Sequence, residues 1–152
     1  VTDIHQDSLA AMEKQYGAKK VAPETVYDLD VDIYAPCALG ATLNTENISR
    51  LRCSIIAGAA NNQLADENLH SQQLKEKGIL LAPDFLINAG GLINVYSELQ
   101  GYDREKALGQ ASKIFDTTLE ILRKAKSEDI TSIAAAKMIA EDRIRAARKV
   151  AR

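Results

Sequence analysis

The sequence has few of the features that mark disulfide-stabilised, nucleic-acid-binding or membrane-spanning proteins. It contains no tryptophan and two cysteines among 152 residues, too few for a disulfide scaffold, so a reducing cytoplasm is expected. Lys and Arg number 19 against 21 Asp and Glu, a net charge of −2, which provides no basic surface for nucleic acid. The longest apolar stretches, such as residues 78–82, are far too short to cross a bilayer. We therefore expect neither a nucleic-acid nor a membrane partner.

The composition is typical of a globular protein, with 46% hydrophobic and 26% charged residues. A chain of this length can bury a sizeable core. No signal-peptide pattern opens it, because Asp3 and Asp7 stand where a basic and then an apolar segment would be needed. The chain instead starts with Val1, without an initiator Met, and its first residues look like the end of a buried strand.

In the first half, short apolar segments alternate with helical ones. The predicted strands are residues 20–22, 31–35, 53–57 and 79–82. The predicted helices are residues 6–16, ended by Gly17, residues 45–51, capped by Asn44, and residues 64–77. Strands of this length separated by helices are typical of βαβ units and a parallel sheet.

From Gly90 onward the periodicity is helical. The expected caps of the last two helices are Asp103 and either Thr131 or Ser132. Apolar residues three and four positions apart predict an inward face on each of these helices, including Leu108, Phe115 and Ile144. The second half is therefore expected to be mainly helical.

Asp3 stands at the end of the first apparent strand, just before a helix. In a dinucleotide-binding unit an acid at this point accepts hydrogen bonds from the adenosine ribose, and its charge disfavours a 2′-phosphate. The simpler alternative is a helix-capping Asp. The glycine-rich turn of such a unit would lie about 20 residues earlier, before the chain begins.

Three further segments of small and polar residues follow successive predicted strands: residues 36–40, 57–63 and 88–91. Ligands bind at the carboxyl ends of strands in open α/β sheets, where small residues let the backbone approach a flat cofactor. The second segment offers Asn61, Asn62 and Gln63, whose amides can donate and accept hydrogen bonds, although Asn and Gly also favour simple turns. Cys37 is interpreted as a packing residue, with a nucleophile as the alternative. It forms no zinc spacing with Cys53, and no metal is expected.

Four segments together resemble the glutamate/leucine/phenylalanine/valine dehydrogenase superfamily, and within it the enzymes for branched-chain and aromatic amino acids. They are residues 1–4 (VTDI), 32–40 (DIYAPCALG), 56–64 (IAGAANNQL) and 82–91 (APDFLINAGG). The resemblance runs in register from Val1 to about Lys149. It implies an α/β fold: a Rossmann-like parallel sheet missing its first βα unit, followed by C-terminal helices. The implied division is an incomplete NAD-binding domain over 1–101 and a helical segment over 102–152.

The resemblance implies NAD as cofactor and the oxidative deamination of L-leucine and other branched-chain L-amino acids to a 2-oxo acid and ammonia, with phenylalanine or valine specificity as alternatives. The implied cofactor-binding residues are Asp3, Ile4, Cys37, Ala38, Leu39, Ala60, Asn61 and Asn88. The implied substrate-binding residues are Asn62, Leu92 and Val95. The last two lie one helical turn apart, so both can face one pocket.

The family's glycine-rich loop, and the two lysines and the aspartate that activate substrate and water, are expected upstream of Val1. No catalytic residue is therefore expected in this chain, and by itself it is expected to be inactive. The intact parent is expected to be a cytoplasmic homo-oligomer acting on a small L-amino acid. An alternative of another class is an inert cofactor-binding or assembly fragment.

Overall fold

The fold centres on a small parallel sheet in a computed structural model that describes residues 1–150. Its strands are β1 (Ile33–Tyr34), β2 (Ile55–Ile56) and β3 (Leu80–Leu81), in the order β1-β2-β3. The register places Ile33 beside Ile55, and Ile55 beside Leu80. The predicted α/β class with a parallel, Rossmann-like sheet is confirmed.

Each strand is shorter than predicted, although its centre coincides with the prediction. Hydrogen bonds continue the pairing by one residue, from the Ala57 N–H to the Tyr34 oxygen (3.1 Å) and from the Ala82 N–H to the Ile56 oxygen (2.9 Å). Pro36 and Pro83 then follow β1 and β3. Proline has no N–H to continue a ladder, so the chain leaves the sheet where the candidate binding segments begin.

Seven α-helices and one 3₁₀ turn surround this sheet in residues 1–150. They are α1 (Gln6–Tyr16), the 3₁₀ turn Val26–Asp28, α2 (Thr45–Arg50), α3 (Glu67–Glu76), α4 (Asp84–Ile87), α5 (Gly90–Leu99), α6 (Arg104–Glu128) and α7 (Ser132–Val150). Gly17 ends α1 with φ 63°, and the Asn44 side chain caps α2 by accepting the Asn47 N–H at 2.9 Å. The Asp103 carboxylate caps α6, as predicted, by accepting the N–H groups of the first turn. None of these helices is both long and apolar enough to cross a membrane.

Three local predictions were wrong. Residues 1–3 form no strand, and Val1 is 50% exposed instead of buried. Residues 20–22 form no strand, because their pairing is limited to one bond from the Val21 N–H to the Val1 oxygen at 3.0 Å. The third helix starts at Glu67 instead of residue 64, since Leu64 pairs with Leu43 in an isolated parallel bridge. Long-range pairing here overrides the local helical periodicity.

Two apolar clusters form the interior. The larger contains Leu43, Ile48, Leu51, Cys53, Ile56, Leu74, Ile79, Leu81 and Ile133, and the smaller contains Ile121, Ala135, Ala136 and Ile139. Three side chains predicted to face inward are instead exposed: Leu108 by 55%, Phe115 by 68% and Ile144 by 54%. The described residues therefore cover only part of the apolar faces of α6 and α7.

Candidate functional site

The polar segments that follow β1 and β2 lie side by side at one edge of the sheet. We call residues 35–42 the β1 loop and residues 57–63 the β2 loop. The paired strands fix both loops at one end, and the bridge between Leu43 and Leu64 fixes them at the other. Each loop leaves from the carboxyl end of its strand. Because the strands are parallel, the two ends lie at the same edge of the sheet, the edge at which open α/β sheets bind ligands.

The two loops touch through their backbones near the strand ends. The Ala60 N–H donates to the Pro36 oxygen at 3.0 Å, and the Ala59 N–H lies 3.4 Å from the Cys37 Sγ. A Cβ atom at Gly58 would stand 2.2 Å from the Pro36 oxygen. Glycine is thus required at position 58 by the approach of the opposite backbone.

A second close contact lies further along the loops. The Ala41 N–H donates to the Asn62 oxygen at 2.7 Å, and a Cβ at Gly40 would stand 2.7 Å from the Asn61 oxygen. Ala41 and Asn62 both adopt left-handed backbone conformations, with φ of 58° and 51°. Asn tolerates this region better than most residues. The backbone conformation is therefore by itself a sufficient reason for an asparagine at position 62, whether or not its side chain binds a ligand.

The side-chain amides of Asn61 and Asn88 meet above this edge. Asn88 follows α4, and its Nδ2 donates to the Asn61 Oδ1 at 2.5 Å. The structure thus brings together two of the predicted cofactor residues from different loops. The Nδ2 of Asn61 and the Oδ1 of Asn88 make no hydrogen bond within residues 1–150, which leaves one amino group and one carbonyl oxygen for a ligand.

Gln63 differs from its asparagine neighbours because it is buried. Its side chain is 1% exposed, and its Nε2 donates to the Gly58 oxygen at 2.7 Å and to the Ala60 oxygen at 3.0 Å. The expectation that its amide is offered to a ligand is therefore wrong. Nothing in the local sequence distinguishes Gln63 from Asn62, because its burial depends on the folding of the loop above it.

Cys37 is exposed, so the prediction that it is a packing residue is wrong, and within residues 1–150 no hydrogen bond joins its thiol to a histidine. His70 is buried, with its Nδ1 accepting the Asp66 N–H at 2.7 Å and its Nε2 lying 3.2 Å from the Thr45 Oγ1, so both ring nitrogens are occupied. Cys53 lies in the core, where burial raises the pKa of its thiol. In residues 1–150, no three His, Cys, Asp or Glu side chains are grouped to hold a metal ion.

Asp3 and Ile4 lie on an N-terminal segment whose backbone is anchored to residues 19–21. The Val1 nitrogen donates to the Lys19 oxygen at 2.7 Å. The Asp3 Oδ1 accepts the His5 N–H at 2.8 Å, and Ile4 is 82% exposed. Asp3 therefore forms a local turn but does not cap α1, whose N-cap residue is His5, and this bond occupies one of its two carboxylate oxygens.

Apolar residues of the predicted site are exposed on the β1 loop and on α5. Leu39 is 77% exposed, with Ala38 beside it, and Leu92 and Val95 are 72% and 57% exposed. Leu92 and Val95 follow Asn88 closely, on the helix that starts at Gly90. Such exposed apolar side chains are available to an apolar ligand or to another protein surface.

Residues 2–152 match the profile of the Glutamate/Leucine/Phenylalanine/Valine dehydrogenase family. The chain belongs to this family. The resemblance inferred from four short motifs is therefore confirmed over nearly the whole chain.

Several curated members of the dehydrogenase family are similar to this chain. It is 54% identical over 144 residues to L-tryptophan dehydrogenase from Nostoc punctiforme, covering 95% of this chain and 41% of that protein. It is 48% identical over 149 residues to leucine dehydrogenase from Thermoactinomyces intermedius, covering 98% of this chain and 40% of that protein. Phenylalanine dehydrogenase from Bacillus thermotolerans is 44% identical over 151 residues, with coverage of 96% and 39%.

The solved structures agree with this family assignment. The crystal structure of L-tryptophan dehydrogenase from Nostoc punctiforme superposes with a TM-score of 0.93 over 95% of this chain and 44% of that one. This chain thus spans about two fifths of the length of the curated dehydrogenases that it matches. The matched relatives are all amino acid dehydrogenases.

Proposed function

We propose that this chain is the cofactor-binding part of an NAD-dependent amino acid dehydrogenase that converts L-leucine and other branched-chain L-amino acids to 2-oxo acids and ammonia. The observation that carries the proposal is the edge formed by the β1 loop, the β2 loop and Asn88. There, two amides from separate loops meet at 2.5 Å beside exposed small residues. The family to which the chain belongs supports the reaction class.

The loop edge fits a nicotinamide dinucleotide. A carboxamide has one carbonyl acceptor and one amino donor, and the Asn61 Nδ2 and the Asn88 Oδ1 provide the complementary pair. Ala38 and Leu39 would border the adenosine, with the exposed Cys37 beside them. Ala60 is only 4% exposed, so it would contribute to the nicotinamide side through its backbone. The bound dinucleotide supplies the hydride acceptor. Asp3 would accept from the ribose hydroxyls through the carboxylate oxygen that the His5 N–H does not occupy, with Ile4 beside the adenine.

The substrate would lie between Asn62 and the start of α5. Asn62 follows Asn61 directly, and its amide would orient the polar end of the amino acid, while Leu92 and Val95 would contact the apolar side chain. Their exposure of 72% and 57% is consistent with a partner surface that the described residues do not provide. The general base and the groups that bind the substrate carboxylate are expected outside this chain, so we propose that the chain alone is inactive.

An aromatic substrate is the second candidate. The similarity to L-tryptophan dehydrogenase, at 54% identity, favours a larger pocket than leucine requires. A hydrophobic pocket discriminates between two substrates by only about 1–3 kcal/mol for each methylene by which they differ. Relatives with nearly the same motifs can therefore differ in substrate.

The organisation of the full-length protein is also a proposal. We infer a division at residues 101–102 between the dinucleotide-binding part and the C-terminal helices. We further infer a homo-oligomer in the cytoplasm. Two unbridged cysteines, Cys37 and Cys53, support a reducing compartment, and exposed apolar residues such as Leu99 and Phe115 support a protein partner. Sedimentation equilibrium of the full-length protein measures the oligomeric state.

The decisive experiment is a substrate panel on the full-length protein. Formation of NADH is followed with leucine, valine, phenylalanine and tryptophan. The leading proposal expects the highest kcat/KM with leucine, and a higher value with phenylalanine or tryptophan selects the aromatic candidate. No turnover with any amino acid would favour an inert cofactor-binding or assembly protein.

The role of Asn62 needs a variant that preserves its left-handed backbone. Asn62→Gly removes the amide without straining φ 51°. We expect kcat/KM for the amino acid to fall by about tenfold or more, while KM for NAD changes less than about twofold. Asn68→Gly, at an exposed position on α3, is the matched control. Equal small effects of the two substitutions would reduce Asn62 to a turn residue.

A further inference from the structure

We propose that Gln63 is a positioning residue for the amides of Asn61 and Asn62, an inference that rests on the proposed function. Its side chain lies beneath the β2 loop, 1% exposed, with Nε2 donating to the carbonyl oxygens of Gly58 and Ala60 at 2.7 and 3.0 Å. Two carbonyl acceptors on one nitrogen fix the orientation of the amide, since the opposite orientation would set oxygen against oxygen. One side chain thus holds the backbone that leads directly into the two asparagines.

The backbone of Gln63 is anchored at the same time. Its oxygen accepts the Leu43 N–H at 2.9 Å, and its N–H points to the Asp84 Oδ2 at 3.4 Å. Leu43 directly follows the β1 loop, and Asp84 starts α4, the helix that precedes Asn88. Gln63 is therefore connected to all three segments that form the proposed site. Because its backbone is anchored, a movement of residues 58–60 would break the hydrogen bonds that its side chain makes with them.

Packing alone does not account for a glutamine here. The Gln63 Oε1 is buried and has no hydrogen-bond partner within the described residues. A buried acceptor without a partner costs free energy relative to an apolar side chain of similar volume. An apolar side chain of the same volume, such as Met, would fill this space without a buried unpaired acceptor of its own. The two donors of Nε2 are what glutamine adds, and both are spent on carbonyl groups of the β2 loop.

Loss of these donors has a local consequence. The carbonyl groups of Gly58 and Ala60 would be left unpaired beneath the loop, and the loop would reorient to hydrate them. Asn61 and Asn62 come next in the chain, and their amides would move with the loop. Displacement of a substrate-orienting group by about 1 Å can cost on the order of 100-fold in rate, so a residue that touches no ligand can still govern the reaction.

Two substitutions in the full-length protein separate positioning from packing. Gln63→Met keeps the volume and removes both donors, and Gln63→Glu keeps the shape but sets a carboxylate oxygen against the two carbonyls. For both we expect kcat/KM for the amino acid to fall by about tenfold or more. We expect faster amide hydrogen exchange over residues 58–62, with exchange in α6 unchanged. Gln72→Met, at an exposed α3 position, is the control and should match the wild type in both readouts.

The kinetic and exchange readouts fail independently. A purely structural role predicts a smaller folded fraction, with unchanged kcat/KM per folded molecule and faster exchange throughout the chain; that result overturns the proposal. Unchanged exchange over residues 58–62 in Gln63→Met overturns it as well. If the wild-type protein oxidises no amino acid, the proposed function fails. The exchange experiment then still decides whether Gln63 holds the loop that carries Asn61 and Asn62.

Discussion

Gly58→Ala should separate the β1 and β2 loops. The added Cβ would stand 2.2 Å from the Pro36 oxygen and 2.5 Å from the Pro36 nitrogen. Both distances are a severe steric clash between non-bonded atoms. Both contacts are backbone atoms, so no side chain can rotate away to make room. The loops must move apart, which breaks the bond between the Ala60 N–H and the Pro36 oxygen and weakens the contact between the Ala59 N–H and the Cys37 sulfur.

The size of the effect follows from these contacts. Overpacking of a well-filled site costs about 1–3 kcal/mol, and the lost backbone hydrogen bond adds about 1 kcal/mol. The expected loss in the free energy of local opening is about 3 kcal/mol. Because about 1.4 kcal/mol corresponds to tenfold in an equilibrium constant, the open state of the loop pair should become about 100-fold more populated.

Native-state hydrogen exchange of the full-length protein measures this opening directly. The amides of Ala60 and Leu43 should exchange about 100-fold faster in Gly58→Ala. Gly109→Ala is the matched control, since its Cβ would meet nothing within 4 Å on α6, and helix propensity predicts stabilisation by about 0.5–1 kcal/mol. Exchange at Ala60 within about threefold of the wild type would refute the steric reasoning.

Two further predictions concern charge. In the full-length protein, Asp3→Ser should narrow the preference for NAD over NADP by about tenfold in kcat/KM, because it removes a carboxylate that repels a 2′-phosphate; Asp7→Ser on α1 is the control, and an unchanged ratio would contradict the role of Asp3. The second prediction concerns Arg50, whose guanidinium donates to Asp28 at 2.9 and 2.7 Å and lowers the pKa of that carboxyl. Because the pKa of Asp28 is lower in the folded protein than its ordinary value of 3.8, the ion pair stabilises the fold fully at pH values above 3.8. This stabilisation is lost as the pH falls through the lower pKa of the folded state. Arg50→Gln should therefore flatten the fall of the thermal midpoint at acid pH, and the same slope in variant and wild type would count against this linkage.

Local signals in the sequence were sufficient for most of the helices. The end of the helix Gln6–Tyr16 could be predicted because glycine commonly ends a helix, and Gly17 does adopt the left-handed conformation of such a C-terminal cap. The caps at Asn44 and Asp103 also depend on neighbours within three residues. The start of α3 was missed, since Leu64 is removed from the helix by a partner far away in the chain, Leu43.

The site was predictable as an edge but not as an arrangement of atoms. Strand ends followed by small and amide residues indicated where a ligand would bind, and the loops do lie together there. The buried position of Gln63 could not be read from the sequence, because three amides in succession look alike until the loop folds over one of them. The exposure of Phe115 was missed for a related reason: a helical stripe shows which residues share a face, but not how much of that face is covered.

The double anchoring of the β1 and β2 loops restricts how their lengths can change. Between the pair Tyr34–Ile56 and the pair Leu43–Leu64 lie residues 35–42 on one side and 57–63 on the other, eight against seven. Each side has one residue with a left-handed backbone, Ala41 and Asn62. An insertion or deletion in either loop would shift the bridge out of register, with Gln63 beside it. These loops should therefore tolerate substitutions far better than changes in length, unlike most surface connections.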